Sequence, residues 1–195
     1  MKSPLFFPIK LVVALFIVFQ FPAISQTVQI GSGITTSSTI GPSPVNNYYR
    51  SQRMQVVYSR GELNAVGITA GNIEELGFYI ASATSQAMPD YKIRLGHTTD
   101  RDANPFFAGP TTQVYYNPAY SPTAGGFDML DLDTAWYWNG VDNIIVDICW
   151  DYGSQPNIQT GTVRTYNDSS YRISYVRSSS QDMCGSTTSS TSLSK

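Results

Sequence analysis

Hydrophobic and polar residues alternate in short runs along most of this chain. In the segment 91–95, for example, the charged Lys92 and Arg94 separate three apolar residues. A period of two residues is typical of a β-strand with one buried face. The pattern predicts about nine or ten short strands, within residues 28–30, 54–58, 73–81, 91–95, 113–116, 127–132, 136–138, 143–150, 162–166 and 171–177.

One of these segments is expected to be a central strand. Residues 143–150 are the most apolar run after the N-terminal 25 residues, and such a run is typical of a strand buried on both faces. Alternation assigns its side chains to two faces, with Ile144, Val146, Ile148 and Trp150 on one and Ile145, Asp147 and Cys149 on the other.

The arrangement of the runs predicts an all-β domain. Turn residues separate the predicted strands, whose spacing of roughly 8 to 15 residues favours an antiparallel sandwich or barrel over alternating β–α units. Only residues 60–66 have a helix-like pattern, and Gly67 ends it after about one turn.

The first 25 residues have the features of an export signal. Lys2 and Lys10 precede an almost unbroken apolar run at 11–21, and residues 23–25 supply small side chains for cleavage. That run is too short for a comfortable membrane span, and no later stretch approaches the roughly 20 apolar residues that a span requires. We therefore expect a protein that is secreted or at the cell surface, without a stable membrane span.

Charge and cysteine content refine this expectation. Removal of residues 1–25 takes away two lysines and no acidic residue, which leaves 10 basic side chains against 14 acidic ones and a net charge of −4. An acidic surface argues against nucleic acid as a partner. Both cysteines, Cys149 and Cys184, lie in the exported part, so they are expected to form a disulfide.

The sequence contains no evident catalytic constellation. His97 is the only histidine, so a Ser-His-Asp mechanism would have to use it with Asp100 or Asp102, and no GxSxG motif is present. Asp128, Asp131 and Asp133 are candidate ligands for a structural Ca²⁺, since this ion prefers carboxylate oxygens. The alternative is that no cofactor is bound and that Asp131 and Asp133 lie on the solvent face of a strand.

Aromatic residues are the densest unusual feature of the chain. Exposed rings offer large, flat contact areas, and the candidate ligand-binding residues are Tyr115, Tyr116, Trp136, Tyr137 and Trp138. In the last three, alternation sends both tryptophans to one face and the tyrosine to the other. The competing interpretation is that the tryptophans fill the core.

The C-terminal part differs in composition. From Ser178 onward almost every residue is Ser, Thr or Gly, apart from Cys184 and a few others, as is typical of a linker. The sequence thus predicts an export signal at 1–25, a β-sandwich domain at 26–178 and a Ser/Thr-rich tail at 179–195. The sandwich is then either complete at Arg177 or cut before its last strand.

Several segments together resemble a module of Bacteroidota cell-surface and adhesin-like proteins that use type IX secretion. They are the motifs at 40–42, 48–51, 57–59, 62–63, 67–73, 76–79, 123–127, 138–140, 142–144 and 184–185. The resemblance implies a jelly-roll-like sandwich and one further apolar strand beyond Lys195, and so implies that the tail at 179–195 is the truncated end of a longer protein. The resemblance assigns a functional role to no residue of this chain.

These observations favour a secreted, non-catalytic β-sandwich module that adheres to, or binds, a glycan or an extracellular matrix or surface protein. Two alternatives remain open at this stage. One is a purely structural spacer, and the other is an ancillary or catalytic part of a secreted hydrolase.

Overall fold

The computed structural model describes residues 26–39, 41–151, 161–166 and 173–192. The predicted export signal at 1–25 therefore lies outside the described residues. Within them the chain forms one short helix, α1, and ten strands. Their bounds are β1 Thr35–Thr36, β2 Ser51–Tyr58, α1 Arg60–Ala65, β3 Gly71–Ser82, β4 Met88–Thr98, β5 Thr112–Tyr120, β6 Gly126–Trp138, β7 Asn143–Asp151, β8 Thr162–Thr165, β9 Ile173–Ser178 and β10 Ser190–Ser192.

The strands form two antiparallel sheets that pack as a jelly-roll-like β-sandwich. The order is β1-β8-β3-β6 in the four-stranded sheet and β10-β9-β2-β7-β4-β5 in the six-stranded sheet. The predicted fold class is therefore confirmed. In the described part of the chain, no helix is long and apolar enough to cross a membrane.

Strand β7 occupies the central position that its composition predicts. It pairs with β2 on one side and with β4 on the other. Ile144, Val146, Ile148 and Trp150 enter the core between the sheets, whereas Ile145 belongs to a separate cluster on the opposite face. Both faces of β7 are buried because loops and the C-terminal segment cover the outer face of the six-stranded sheet.

A buried polar network holds this cover in place. The Asp147 side chain is fully buried, and it accepts hydrogen bonds from Arg53 Nε and from Gln55 Nε2, the latter at 2.9 Å. The side-chain Oε1 of Gln55 accepts from the backbone N–H of Phe107 at 2.7 Å, and Arg53 Nη1 donates to the backbone carbonyl of Ser186 at 2.6 Å. The network thus joins β2 and β7 to the β4–β5 loop and to the segment after β9.

The predicted disulfide between Cys149 and Cys184 is present. It ties the segment after β9 to β7, and β10 then pairs with β9 at Thr191 opposite Ser174. The domain boundary predicted at residue 178 is therefore too early. Composition alone suggested a linker, but backbone pairing and the disulfide do not require apolar side chains, so the Ser/Thr-rich segment joins the sheet.

The predicted helix and three of the predicted strands can be compared directly with the structure. The helix is confirmed, with Ser59 and Glu62 forming a reciprocal N-terminal cap and Gly67 at φ +86° after its end. The strand predicted at 28–30 is wrong: Ile30 packs against the core from an irregular segment, and β1 lies further along the chain. The two strands predicted at 127–132 and 136–138 are one strand, β6, which pairs with β3 across a register shift.

Removal of the disulfide is predicted to destabilise the domain. The two cysteines are separated by 35 residues, and closing a loop of this length contributes about 3–4 kcal/mol in the chain-entropy model. We expect the double variant Cys149→Ala/Cys184→Ala to lose about this much free energy of unfolding in urea. Reduced wild-type protein is the control, and no shift of its denaturation midpoint relative to the oxidised form would contradict the prediction.

Candidate ligand-binding surfaces

Two of the five aromatic residues proposed from the sequence are unavailable to a ligand. Trp136 is 8% exposed and Trp138 is fully buried. The Trp138 indole donates to the carbonyl of Asp142 at 2.8 Å, and the Trp136 ring lies 4.4 Å from the His97 ring. The prediction that Trp136 and Trp138 bind a ligand is therefore wrong, because both rings fill the core.

Tyr137 lies between them and points outward, as the alternation predicts. It is 59% exposed on the outer face of the four-stranded sheet, where it is the cross-strand neighbour of Asn72. This tyrosine remains available to a ligand.

Tyr115 and Tyr116 lie on the edge strand β5 and face different environments. Tyr115 is partly buried and packs 6.3 Å from the Tyr91 ring. Tyr116 is 41% exposed beside Lys92 and Asp90. The pKa of Asp90 is lowered mainly by a hydrogen bond from the Lys92 ammonium and, to a smaller extent, by one from the Tyr116 hydroxyl. Tyr116 is thus part of a local polar cluster, while Tyr115 belongs to the core.

The structure places a further exposed group on the outer face of the four-stranded sheet, which we call the aromatic platform. It consists of Tyr79, Phe127, Met129 and Arg164. Phe127 is 48% exposed, and its ring meets the Tyr79 ring edge-to-face at 5.4 Å. The Arg164 guanidinium stacks 3.6 Å from the centre of the Tyr79 ring.

The platform depends on two backbone pairings. Tyr79 and Phe127 are direct cross-strand neighbours in the β3–β6 pair, and the next pair toward its centre on the same face is Gly77 and Met129. A Cβ at Gly77 would collide with the Met129 sulfur. The glycine therefore lets the methionine lie flat across β3, so the platform continues along the strand without a gap.

A small cavity adjoins the platform. It has a volume of about 100 Å³, and its lining includes the platform residues Tyr79, Phe127 and Arg164 as well as the interior Met54 and Val56. Pockets that enclose a drug-sized ligand typically measure roughly 300–1,000 Å³. The cavity is therefore too small for a sugar ring, although a small apolar substituent would fit, and binding of anything larger must take place on the surface.

The aspartates proposed as calcium ligands do not form one ligand set. Asp128 accepts from the Tyr120 hydroxyl at 2.7 Å and from the backbone N–H of Thr123 at 3.0 Å. Asp133 accepts from the backbone N–H of Tyr116. Asp131 is exposed opposite Glu75. Asp128 is separated from Asp131 because alternation along β6 directs their side chains to opposite faces, and the described residues contain no cluster of three metal-ligating side chains.

His97 is engaged in a structural contact. Its Nε2 accepts from the backbone N–H of Asn139 at 3.2 Å, and its ring packs on Trp136. Asp100 and Asp102, the partners considered from the sequence, do not hydrogen-bond to it. The Asp102 carboxylate instead accepts from the backbone N–H of Asn104. His97 therefore does not form a His-Asp pair with Asp100 or Asp102.

Comparisons with known proteins add little. No protein-family model matches the chain, and no curated protein matches it. Among solved structures, it is similar to a chain from the cysteine protease and lectin-like domains of Cwp84, a surface layer associated protein of Clostridium difficile. The identity is 8% and the TM-score 0.38, and the alignment covers 69% of this chain and 28% of that chain. At this TM-score the likeness supports neither a shared fold nor a shared activity.

The environment of Asp128 predicts a metal-independent structural role. Burial, followed by the neighbouring Tyr91, raises the pKa of Tyr120, so its hydroxyl keeps its proton and donates to Asp128. We expect Asp128→Ala to lower the free energy of unfolding by about 2–3 kcal/mol, since a charge-assisted hydrogen bond is lost. Thermal and urea denaturation should show the same loss with and without a chelator.

Asp131→Ala on the outer face is the matched control and should change stability by less than about 0.5 kcal/mol. The interpretation fails if a chelator destabilises the wild type and leaves Asp128→Ala unchanged. That pattern would indicate a calcium ion held by Asp128.

Proposed function

We propose that this chain is an exported, non-catalytic module of a larger cell-surface or adhesin-like protein, and that it binds an extracellular glycan through the aromatic platform. The observation that carries the proposal is the exposed Phe127 ring, which packs against the half-buried Tyr79 on an outer sheet face, with Arg164 stacked on that tyrosine. Contiguous exposed apolar surface of this kind is characteristic of interaction sites.

The chemistry of the platform suits a saccharide. The C–H faces of sugar rings pack on aromatic rings, and the Phe127 ring offers such a surface without a competing polar group. Arg164 supplies hydrogen-bond donors at one end. At the other end, the exposed carboxylates of Glu75 and Asp131 form a cross-strand pair that can accept hydrogen bonds from hydroxyl groups. Donors, acceptors and an apolar surface therefore lie on the same face of the adjacent strands β8, β3 and β6.

The disulfide supports export. Disulfides persist mainly in oxidising compartments, and the bond between Cys149 and Cys184 agrees with the export signal predicted at 1–25. The structural contacts of His97 and Asp128 support a binding role over a hydrolytic one, because both groups are already engaged in packing and hydrogen bonding.

Substitution of Phe127 tests the proposal. A glycan array with the purified exported domain should identify a saccharide ligand. Phe127→Ala should weaken its binding by about tenfold or more in calorimetry, as expected when a central aromatic contact is truncated. Since nearly half of the Phe127 side chain is exposed, the fold should survive, and circular dichroism would verify this.

Tyr48→Ala is the matched control, because Tyr48 is 39% exposed and does not belong to the platform. It should bind like the wild type. An array without any bound saccharide would favour the spacer role. A saccharide that is hydrolysed by the wild-type protein would instead favour the hydrolase.

A further inference from the structure

A second, polar cleft lies at one end of the sandwich, away from the platform residues. It forms where the start of α1, the β4–β5 loop and the β6–β7 turn meet, and its volume is about 530 Å³. We define the polar cleft by Arg60, Thr99, Arg101, Asp142 and Asn143, which line it. Its size is sufficient for a sugar ring.

The walls of the polar cleft are held in place by one side chain. Asn143 accepts from the backbone N–H of Arg60 at 2.8 Å, and its amide nitrogen donates to the carbonyl of Asp100 at 2.7 Å. Asn143 is the first residue of β7. It therefore ties both arginine-bearing segments to the central strand of the sheet, and a ligand would find them already positioned.

The third wall is also fixed. In the β6–β7 turn, the Asn139 side chain accepts from the backbone N–H groups of Val141 and Asp142, and it donates to the Asp142 carboxylate at 2.7 Å. One oxygen of Asp142 is used in this way. Asp142 lines the same cleft as Arg60 and Arg101.

No carboxylate of the described residues forms an ion pair with either arginine of the polar cleft. Ion pairs join Arg53 to Asp147 and Lys92 to Asp90. Arg60 and Arg101 are both exposed and take part in neither pair. Two guanidinium groups and one lining carboxylate give the polar cleft a net charge of +1, on a protein whose exported part carries −4.

From this geometry we infer that the polar cleft is a second binding site, specific for the carboxylate of a singly charged acidic sugar such as a uronic acid. A guanidinium group binds a planar carboxylate through two parallel hydrogen bonds. Asp142 disfavours ligands that carry several negative charges and can accept from a sugar hydroxyl. Thr99 and Asn143 supply further polar groups that match hydroxyls. The site is independent of the aromatic platform.

The experiment is a calorimetric titration with a galacturonic acid trisaccharide, an uncharged galactose trisaccharide and inorganic phosphate. The acidic trisaccharide should bind, with an affinity that falls as salt is raised from roughly 0.05 to 0.5 M because screening weakens the attraction. Arg60→Gln and Arg101→Gln should each weaken its binding by about tenfold or more. The uncharged trisaccharide should not bind at this site.

Three controls separate binding in the polar cleft from binding elsewhere on the protein and from loss of the fold. Arg164→Gln removes an exposed arginine at the platform and should leave binding of the acidic trisaccharide unchanged. Phe127→Ala should also leave this binding unchanged. The proposal for the platform and the proposal for the polar cleft can therefore be refuted independently. Circular dichroism should show that Arg60→Gln and Arg101→Gln are folded, since neither side chain hydrogen-bonds to another of the residues that the structure describes.

The inference is overturned by any of three results. The first is no binding of the acidic trisaccharide by the wild type, and the second is unchanged binding by the double variant Arg60→Gln/Arg101→Gln. The third is phosphate binding as tight as that of the trisaccharide, which would indicate a simple anion site without selectivity for a sugar.

Discussion

The ion pair between Arg53 and Asp147 is the interaction on which the rest of the structure depends. A fully buried carboxylate is tolerated only when it is paired and hydrogen-bonded. Asp147 meets this condition through Arg53 and Gln55, and the same two side chains hold Phe107 in the β4–β5 loop and Ser186 in the segment after β9. The requirement to satisfy one buried charge therefore closes one face of the sandwich.

This closure determines where a ligand can bind. The outer face of the six-stranded sheet is occupied by the loop and by the disulfide-linked segment. Among the residues that the structure describes, the open surfaces are therefore the outer face of the four-stranded sheet and the ends. The first carries the aromatic platform around Phe127, and one of the ends carries the polar cleft with Arg60 and Arg101. The platform is positioned by the pairing of β3 with β6, and the polar cleft by hydrogen bonds of the Asn143 side chain at the start of β7.

The sequence predicted the features that depend on the local alternation of apolar and polar residues or on the presence of two cysteines after a predicted export signal. The two faces of β7 and the opposite orientations of Trp136 and Tyr137 follow from spacing, and the disulfide was predicted from the proposed export signal. The platform could not be found in this way. In β6 apolar residues lie on both faces, with Met129 outward and Leu130 inward, so alternation does not say which face is the core. The stacking of Arg164 on Tyr79 depends on the pairing of distant strands, which a single sequence does not reveal.

A double-mutant cycle with Arg53→Met and Asp147→Leu tests the central claim most directly. Each single variant leaves one buried partner unsatisfied and should lose about 3–5 kcal/mol of unfolding free energy in urea. The double variant removes both charges, so it should be more stable than either single variant. Additive losses, or single losses below about 1 kcal/mol, would contradict the account and show that the outer face of the six-stranded sheet is closed by other contacts.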